Sequence, residues 1–336
     1  MKIGVYSVMG NNLTQIPVWW ASAQAAESVH VLCVDSTDGT AKHLRQLGVK
    51  VTEIYNSQFG VSDLLNFSAC CLPGDLDVCV RLMPHENMHP EWKSKIEENF
   101  QPGSGSLVCQ IQQVDRMGRW QLCDTQAIHA RNQTLWQGQA RAELVTDLPS
   151  SRLDMTLFHT GEKPVYDVAL LRRAISVEPS ATNYFLLARE LALTEQTQQA
   201  HELFLYHFNN FQDCVHQTGE VCKWLSILEP QEALGWLRKG VAVAAHRREN
   251  WFYLAQLYRR YYNRLDTLSV CTWGTSLHNK PGHWLVNDQA WSAQLYLWGA
   301  DAAVKLNLRD QARELLQRGL DEDPNNSEII AALQEL

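Results

Sequence analysis

The chain has 336 residues, a formal charge of −8 at pH 7 and a pI near 5.8, with 45% hydrophobic and 20% charged residues. That length exceeds one ordinary core, so two domains, or one domain followed by a repeat array, are expected. The acidic balance excludes a general attraction for nucleic acid or anionic membrane and confines any such contact to a local basic patch.

KIGVYSVM, residues 2 to 9, is a β-branched and apolar run that predicts a first strand. The opening MKIGVYSVMG has neither the long apolar core nor the cleavage site of a signal peptide, and no later run approaches a membrane span, so a cytoplasmic location is expected. A helix-forming segment around Trp19 and Trp20 leads to a second strand, VHVLCVD (29–35). The helix-like TAKHLRQLG then precedes a third, VKVTEIY (49–55), and LDVCVRLM (76–83) is the fourth. Strands alternating with helices predict an α/β layer with a largely parallel sheet, whose ligands sit at the carboxyl ends of the strands. The loops starting at Ser7, Asp35 and Met83 are therefore the expected functional edge. LVCQIQQVD and GRWQLCDTQAIHA, around Met117-Gly118, predict a hairpin added to that sheet.

Residues 85 to 89, His-Glu-Asn-Met-His, match the H-E-x-x-H pattern of zinc hydrolases. That motif needs a helix to aim both histidines at one metal. Pro90 pushes His89 out of the α region and Pro84 precedes His85, which leaves barely one turn, so no metal ligand is assigned. The nine cysteines are scattered, and the adjacent pair Cys70-Cys71 lacks C-x-x-C spacing; they read as small buried hydrophobes in a reducing compartment.

After about residue 160 strand signals give way to helical periodicity. Tyr184, Leu187, Ala188, Ala200 and Phe204 recur with the same internal spacing as Trp251, Leu254, Ala255, Thr267 and Cys271, and as Tyr296, Gly299, Ala300, Ala312 and Leu316. Ala233, Leu237 and Gly240 mark a degenerate copy, and Pro324 closes the last. The pattern resembles the tetratricopeptide repeat, a helix-turn-helix unit, with the first repeat helix expected around residues 165 to 175.

The first 145 residues resemble a family 2 glycosyltransferase of the GT-A fold, in the subgroup where the catalytic domain is followed by tetratricopeptide repeats. The resemblance is carried by MKIGVYSVMGNN, by VDSTDGT (34–40), by CLPGDLDVCVRLMPHENMHPEW (71–92) and by IHARNQTLWQGQARAEL (128–144). It implies an α/β GT-A (nucleotide-diphospho-sugar transferase) domain over residues 1–160 and all-α tetratricopeptide-like repeats over 161–336. It also implies a nucleotide-sugar donor, a uridine diphosphate sugar first among them, and a protein or other macromolecular acceptor held partly by the repeats.

The resemblance has gaps at the positions that carry the chemistry. Met83 and His85 stand where the D-x-D aspartates would hold a divalent metal, leaving Glu86 as the nearby carboxylate and a metal cofactor doubtful. Leu65-Asn66 replaces the family's Arg-Asn, and Arg141-Ala142 replaces its His-Glu, with Glu143 next door. Residues expected at a catalytic centre are thus Glu86, Glu143 and Arg141. Those expected to bind substrate are Ser7, Asn11, Asp35, Asp38, Asn66, His85, Arg131 and Trp136.

Asp35 would hydrogen-bond the uracil or ribose. Asp38 either joins it or simply caps the helix starting at Thr40. His85 is either a surface histidine or a neutral contact to phosphate. Arg131 is either a diphosphate ligand or a solvated strand-edge residue. Arg141 either replaces the metal electrostatically or marks lost activity. Two functions follow: a metal-independent inverting transferase, or a non-catalytic descendant that binds a ligand or a partner.

Overall fold

The computed structural model describes residues 1–55, 59–114, 120–131, 135–139, 141–159, 168–281 and 285–336, the side chains of 113, 114 and 120–123 excepted. The chain forms two compact units, Met1–Pro179 and Ser180–Leu336.

The first unit is a mixed α/β layer. Its strands are β1 (Ile3–Met9), β2 (Ser28–Val34), β3 (Lys50–Ile54), β4 (Val78–Arg81), β5 (Glu86–Met88), β6 (Ser106–Val114), β7 (Trp120–Ala130), β8 (Leu135–Gln137), β9 (Glu143–Val145) and β10 (Ser150–His159). Eight of them make one sheet in the order β3-β2-β1-β4-β7-β6-β10-β5, and β8 pairs with β9 in a separate ribbon. The run β3-β2-β1-β4 is parallel, as alternating strands and helices predict. β6 and β7 are the expected hairpin, added antiparallel to β4; its turn at Met117-Gly118 lies outside the described residues.

Side chains alternate across the sheet, so each face has its own core. Ile3, Val5 and Met9 of β1 point to one face, where they join Trp19 of helix α1 (Ile16–Ala23) and Trp92 and Ile96 of helix α4 (Trp92–Asn99). Tyr6 points to the other face, with Leu65 and Ala69 of helix α3 (Val61–Cys70), with Leu72 just after it, and with Trp136 and Leu144 of the ribbon. Gly4 lies beneath the segment that follows α3: a Cβ there would sit 2.4 Å from Leu76 Cδ1 and 3.0 Å from Leu72 Cδ1, so a larger residue would displace these two side chains. Helix α2 (Thr40–Gln46) packs beside β3. Five cysteines, Cys33, Cys79, Cys109, Cys222 and Cys271, are buried, and burial pushes their thiols up to about 12.

Helix α5 (Val168–Val177) belongs to this first unit. The sequence pattern puts the change of character at 160/161 and makes this helix the first of the repeats. Its apolar face has the same period as a repeat helix, so periodicity alone does not tell the two apart. Residues 160–167 lie outside the described set.

The second unit is a helical repeat array. Antiparallel pairs follow one another: α6 (Ala181–Leu193) with α7 (Thr197–Asn210), α8 (Val215–Leu228) with α9 (Ala233–Val243), α10 (Arg248–Arg260) with α11 (Arg264–Gly274), and α12 (Gln294–Lys305) with α13 (Arg309–Glu322), then α14 (Ser327–Gln334). The small residues of the repeat pattern are the contact points: Ala188, Ala200, Ala255 and Ala312 are fully buried. At Gly299 an added Cβ would lie 2.9 Å from Cys271 Cβ and 3.0 Å from Leu315 Cδ1, so two helices touch through the missing side chain. The degenerate copy is the pair α8/α9, in which Gln217 occupies the aromatic place and hydrogen-bonds Thr182 Oγ1 at 2.7 Å. Among the described residues no helix is long and apolar enough to cross a membrane.

Since Ala255 is fully enclosed between helices, Ala255→Leu is expected to overpack the α10/α11 pair and destabilise the protein by about 1–3 kcal/mol. Thermal unfolding followed by circular dichroism checks this. A melting temperature equal to that of the wild type would contradict the helix packing described above.

Candidate functional site

A cleft of about 1220 Å³ opens at the carboxyl ends of β1 and β4. Gly10 and Asn11 follow β1, Arg81, Met83 and His85 follow from β4, Val61 and Leu65 come from the first turns of α3, and Trp136 with Arg141 to Leu144 come from the ribbon segment. Asp124, Thr125 and Gln126 of β7 also line it. Met83 and Leu65 form part of the apolar wall without closing the space, and the volume is ample for a small-molecule ligand.

Five of the expected residues meet at this cleft: Asn11, His85, Trp136, Arg141 and Glu143. Asn11 is partly committed, because its Oδ1 accepts from the backbone N–H of Thr37 at 2.7 Å and of Asp38 at 3.2 Å. It thereby ties the loop after β2 to the cleft rim. Trp136 donates from Nε1 to the Tyr6 hydroxyl, which meets His129 Nε2 at 2.7 Å, so the indole is fixed from behind. Arg141 Nε, half-buried, lies 3.4 Å from Oε1 of the exposed Glu143 at the rim.

Six expected residues lie elsewhere. Ser7 is fully buried in the sheet, and its carbonyl accepts from Ser68 Oγ; alternation turned its side chain into the core rather than toward the loop. Asn66 uses both ends of its amide on Trp136, donating to its carbonyl and accepting from its N–H at 2.8 Å each, which replaces a strand partner for β8. Arg131 is at the far end of α3 from the cleft. Its guanidinium donates to the carbonyls of Cys70, Leu72 and Pro73 and so satisfies the open end of that helix.

Asp35 and Asp38 lie on the exposed loop next to the cleft, outside its wall. Asp35 adopts a left-handed backbone, φ 49°. Asp38 accepts from Thr40 Oγ1 at 2.6 Å, Thr40 N at 2.9 Å and Leu13 N at 3.0 Å, and these bonds hold its carboxyl down at about 2. It holds the first residue of α2 and the loop at Leu13, one position ahead of the N-cap Gly39.

Glu86 departs furthest from its expected place. Its side chain is buried, one oxygen faces Arg81 Nη2 at 3.2 Å and the other accepts from Met83 N at 2.9 Å. The carboxylate staples the loop between β4 and β5 instead of facing the cleft. The H-E-x-x-H stretch is thus a turn and strand rather than a helix. His85 lies against the His159 ring, centroids 4.3 Å apart. Among the described residues no group of three or more His, Cys, Asp or Glu side chains is placed to hold a metal ion.

Sequence reading passed over Arg81, Asp124 and Gln126. Arg81 had a visible signal, being the one charged residue inside the apolar VCVRLM run. It faces Glu86, its guanidinium lies 5.7 Å from the Trp136 ring centroid, and its buried Nε has no hydrogen-bond partner among the described residues. Asp124 pairs with Arg152 at 3.1 Å.

No protein-family model matches this chain, and no curated protein does. Among solved structures it is similar to the MamA protein (12% identity over 48% of this chain and 84% of that one, TM-score 0.36). It is also similar to YrrB, a TPR protein with an unusual peptide-binding site (19%, 50% and 82%, 0.34), and to pilF of Pseudomonas aeruginosa (13%, 50% and 70%, 0.35). At these identities and scores the likeness says nothing of activity or partners.

The two glutamates separate by mutation. Glu86→Ala leaves Arg81 as a buried uncompensated cation and is expected to cost about 3 kcal/mol or more. Glu143→Ala removes only an exposed carboxylate and is expected to cost less than about 1 kcal/mol. Denaturant unfolding of both variants checks the contrast, and equal losses would contradict it.

Burial pushes His85 and His129 from the ordinary value near 6.5 down to about 4. Between those values the unfolded chain binds protons that the folded one does not. This stabilising contribution is therefore intact above pH 6.5 and lost as pH falls toward 4. Unfolding midpoints measured across that window are expected to fall, and to fall less steeply in His85→Gln.

Proposed function

We propose that the chain is a non-catalytic relative of the GT-A glycosyltransferases, in which the α/β unit keeps a ligand cleft without the transfer chemistry and the helical unit serves partner binding. The observation that carries this reading is the state of Glu86. Inverting transfer needs a carboxylate or imidazole free to take the acceptor proton, and a positive centre for the departing diphosphate. Glu86 is buried and held by Arg81 and Met83 N. Arg81 is in turn matched by Glu86, Arg141 faces Glu143, and Asp124 faces Arg152, so the charges around the cleft are balanced in pairs. A diphosphate, with two or more negative charges, gains little there.

What the cleft offers is an aromatic and apolar wall, Trp136, Leu65, Met83 and Leu144, with the neutral polar groups of Asn11, Thr125 and Gln126. His85 adds a neutral imidazole at pH 7, given its depressed value. This suits a neutral polar ligand such as a sugar moiety better than a highly charged one. One observation favours the alternative of a metal-independent transferase: Arg141 is on the cleft wall, in reach of a leaving phosphate bound there.

Calorimetry with uridine, guanosine and thymidine diphosphate sugars, with and without chelator, together with an assay for released nucleoside diphosphate, tests the proposal. The expected result is no release above blank with any donor, and any binding unchanged by removing magnesium or manganese. Turnover that is lost in Arg141→Ala would overturn the non-catalytic reading in favour of the transferase.

A further inference from the structure

The turn between α10 and α11 carries Arg-Arg-Tyr-Tyr-Asn-Arg, residues 259 to 264. Arg259, Arg260 and Arg264 are exposed, and among the described residues none of them has a carboxylate at ion-pairing distance. Arg259 is oriented by the Trp298 ring, 4.6 Å from its guanidinium carbon, and Arg264 donates to the Lys305 carbonyl at 3.3 Å. In a chain of net charge −8 this one turn thus gathers three exposed guanidinium groups that no carboxylate among the described residues answers.

Tyr262 stands among them, 88% exposed, with a backbone φ of 54°. That left-handed position suits glycine, and a bulky aromatic residue strains it without gaining any packing. Two depressions flank the ridge formed by Arg259 and Tyr262. One, of about 500 Å³, is also lined by Gln256, Arg260 and Trp298. The other, of about 210 Å³, is also lined by Arg264, Asp301 and Lys305. Tyr261 and Leu265 extend the exposed aromatic and apolar surface.

We infer that this surface docks an acidic segment of a partner protein, with carboxylates on Arg259, Arg260 and Arg264 and an apolar side chain against Tyr262. Guanidinium groups bind carboxylates in a bidentate way, and an exposed tyrosine supplies contact area with little rotamer entropy to lose. A nucleic acid fits less well. The cations are a cluster rather than a continuous track, Asp301 lies in the smaller depression, and the whole chain repels polyphosphate. The inference deepens the partner-binding half of the function proposed above and does not involve the cleft.

Fluorescence anisotropy of the full chain with a labelled peptide of Asp, Glu and Leu residues tests it, against the same peptide with Asn and Gln in place of the acids and a single-stranded RNA of similar length. The acidic peptide is expected to bind, to weaken as salt rises, and to lose about tenfold or more in affinity in the triple variant Arg259→Ala, Arg260→Ala, Arg264→Ala. Tyr262→Gly relieves the strained backbone, so it is expected to hold or raise the melting temperature while weakening the peptide severalfold. That divergence distinguishes docking from a structural role and stands even if the triple variant misfolds. Absent binding of the acidic peptide, equal binding by the neutral peptide, tighter binding of RNA, or an unchanged affinity in Tyr262→Gly would each overturn the inference. Donor titrations report on the cleft alone, so turnover there would leave the docking surface standing, and a failed peptide titration would leave the cleft reading standing.

Discussion

The buried ion pair between Arg81 and Glu86 fixes the geometry of the α/β unit where function would reside. It joins the end of a central strand to the start of an edge strand and, through Met83 N, sets the turn between them. Trp19 reinforces the same loop by donating to the Leu82 carbonyl at 3.0 Å. With its backbone so determined, the loop presents Met83 and His85 to the cleft and turns Glu86 away. A carboxylate that is structural here cannot at the same time be a free base. The charged residues at the cleft, Arg81, Asp124, Arg141 and Glu143, each face a partner of opposite sign, and its remaining wall is apolar or neutral.

Much of the architecture was legible because it rests on periodicity. The four parallel strands are short β-branched runs, and the repeat helices carry small residues at fixed spacing, so both survive without knowledge of tertiary contacts. β10 was missed although its signal is present: Leu153, Met155, Leu157 and His159 alternate and are all buried, while Arg152 and Asp154 face outward. β5, β8 and β9 have three residues each, too few for alternation to register.

The site was less legible than the fold, since sequence names a residue type but not what already occupies it. Asn66, Arg131 and Glu86 each look available as written, and each is consumed by backbone groups or by a neighbour brought near only by folding. Asp38 is the instructive middle case. Its bonds to Thr40 at the start of α2 follow from Asp-Gly-Thr alone, whereas the bond from Leu13 N depends on a loop from another part of the chain. Arg81, passed over in the sequence, emerges as the residue that links Glu86 to Trp136.

The order of strands in space also bears on how the chain acquires this cleft. β5 pairs antiparallel with β10, Met88 opposite Leu157 and Glu86 opposite His159, and it forms an edge of the sheet. A strand emerging early from the ribosome thus has no ladder to join until the chain through residue 159 has followed it. The loop carrying Met83 and His85 has its own partners, Arg81, Glu86 and Trp19, before that point, whereas the ladder of β5 waits for a strand more than sixty residues away. A nascent chain stalled just before β10 would therefore already carry nearly all of the residues that line the cleft, while β5 still exposed an unpaired edge.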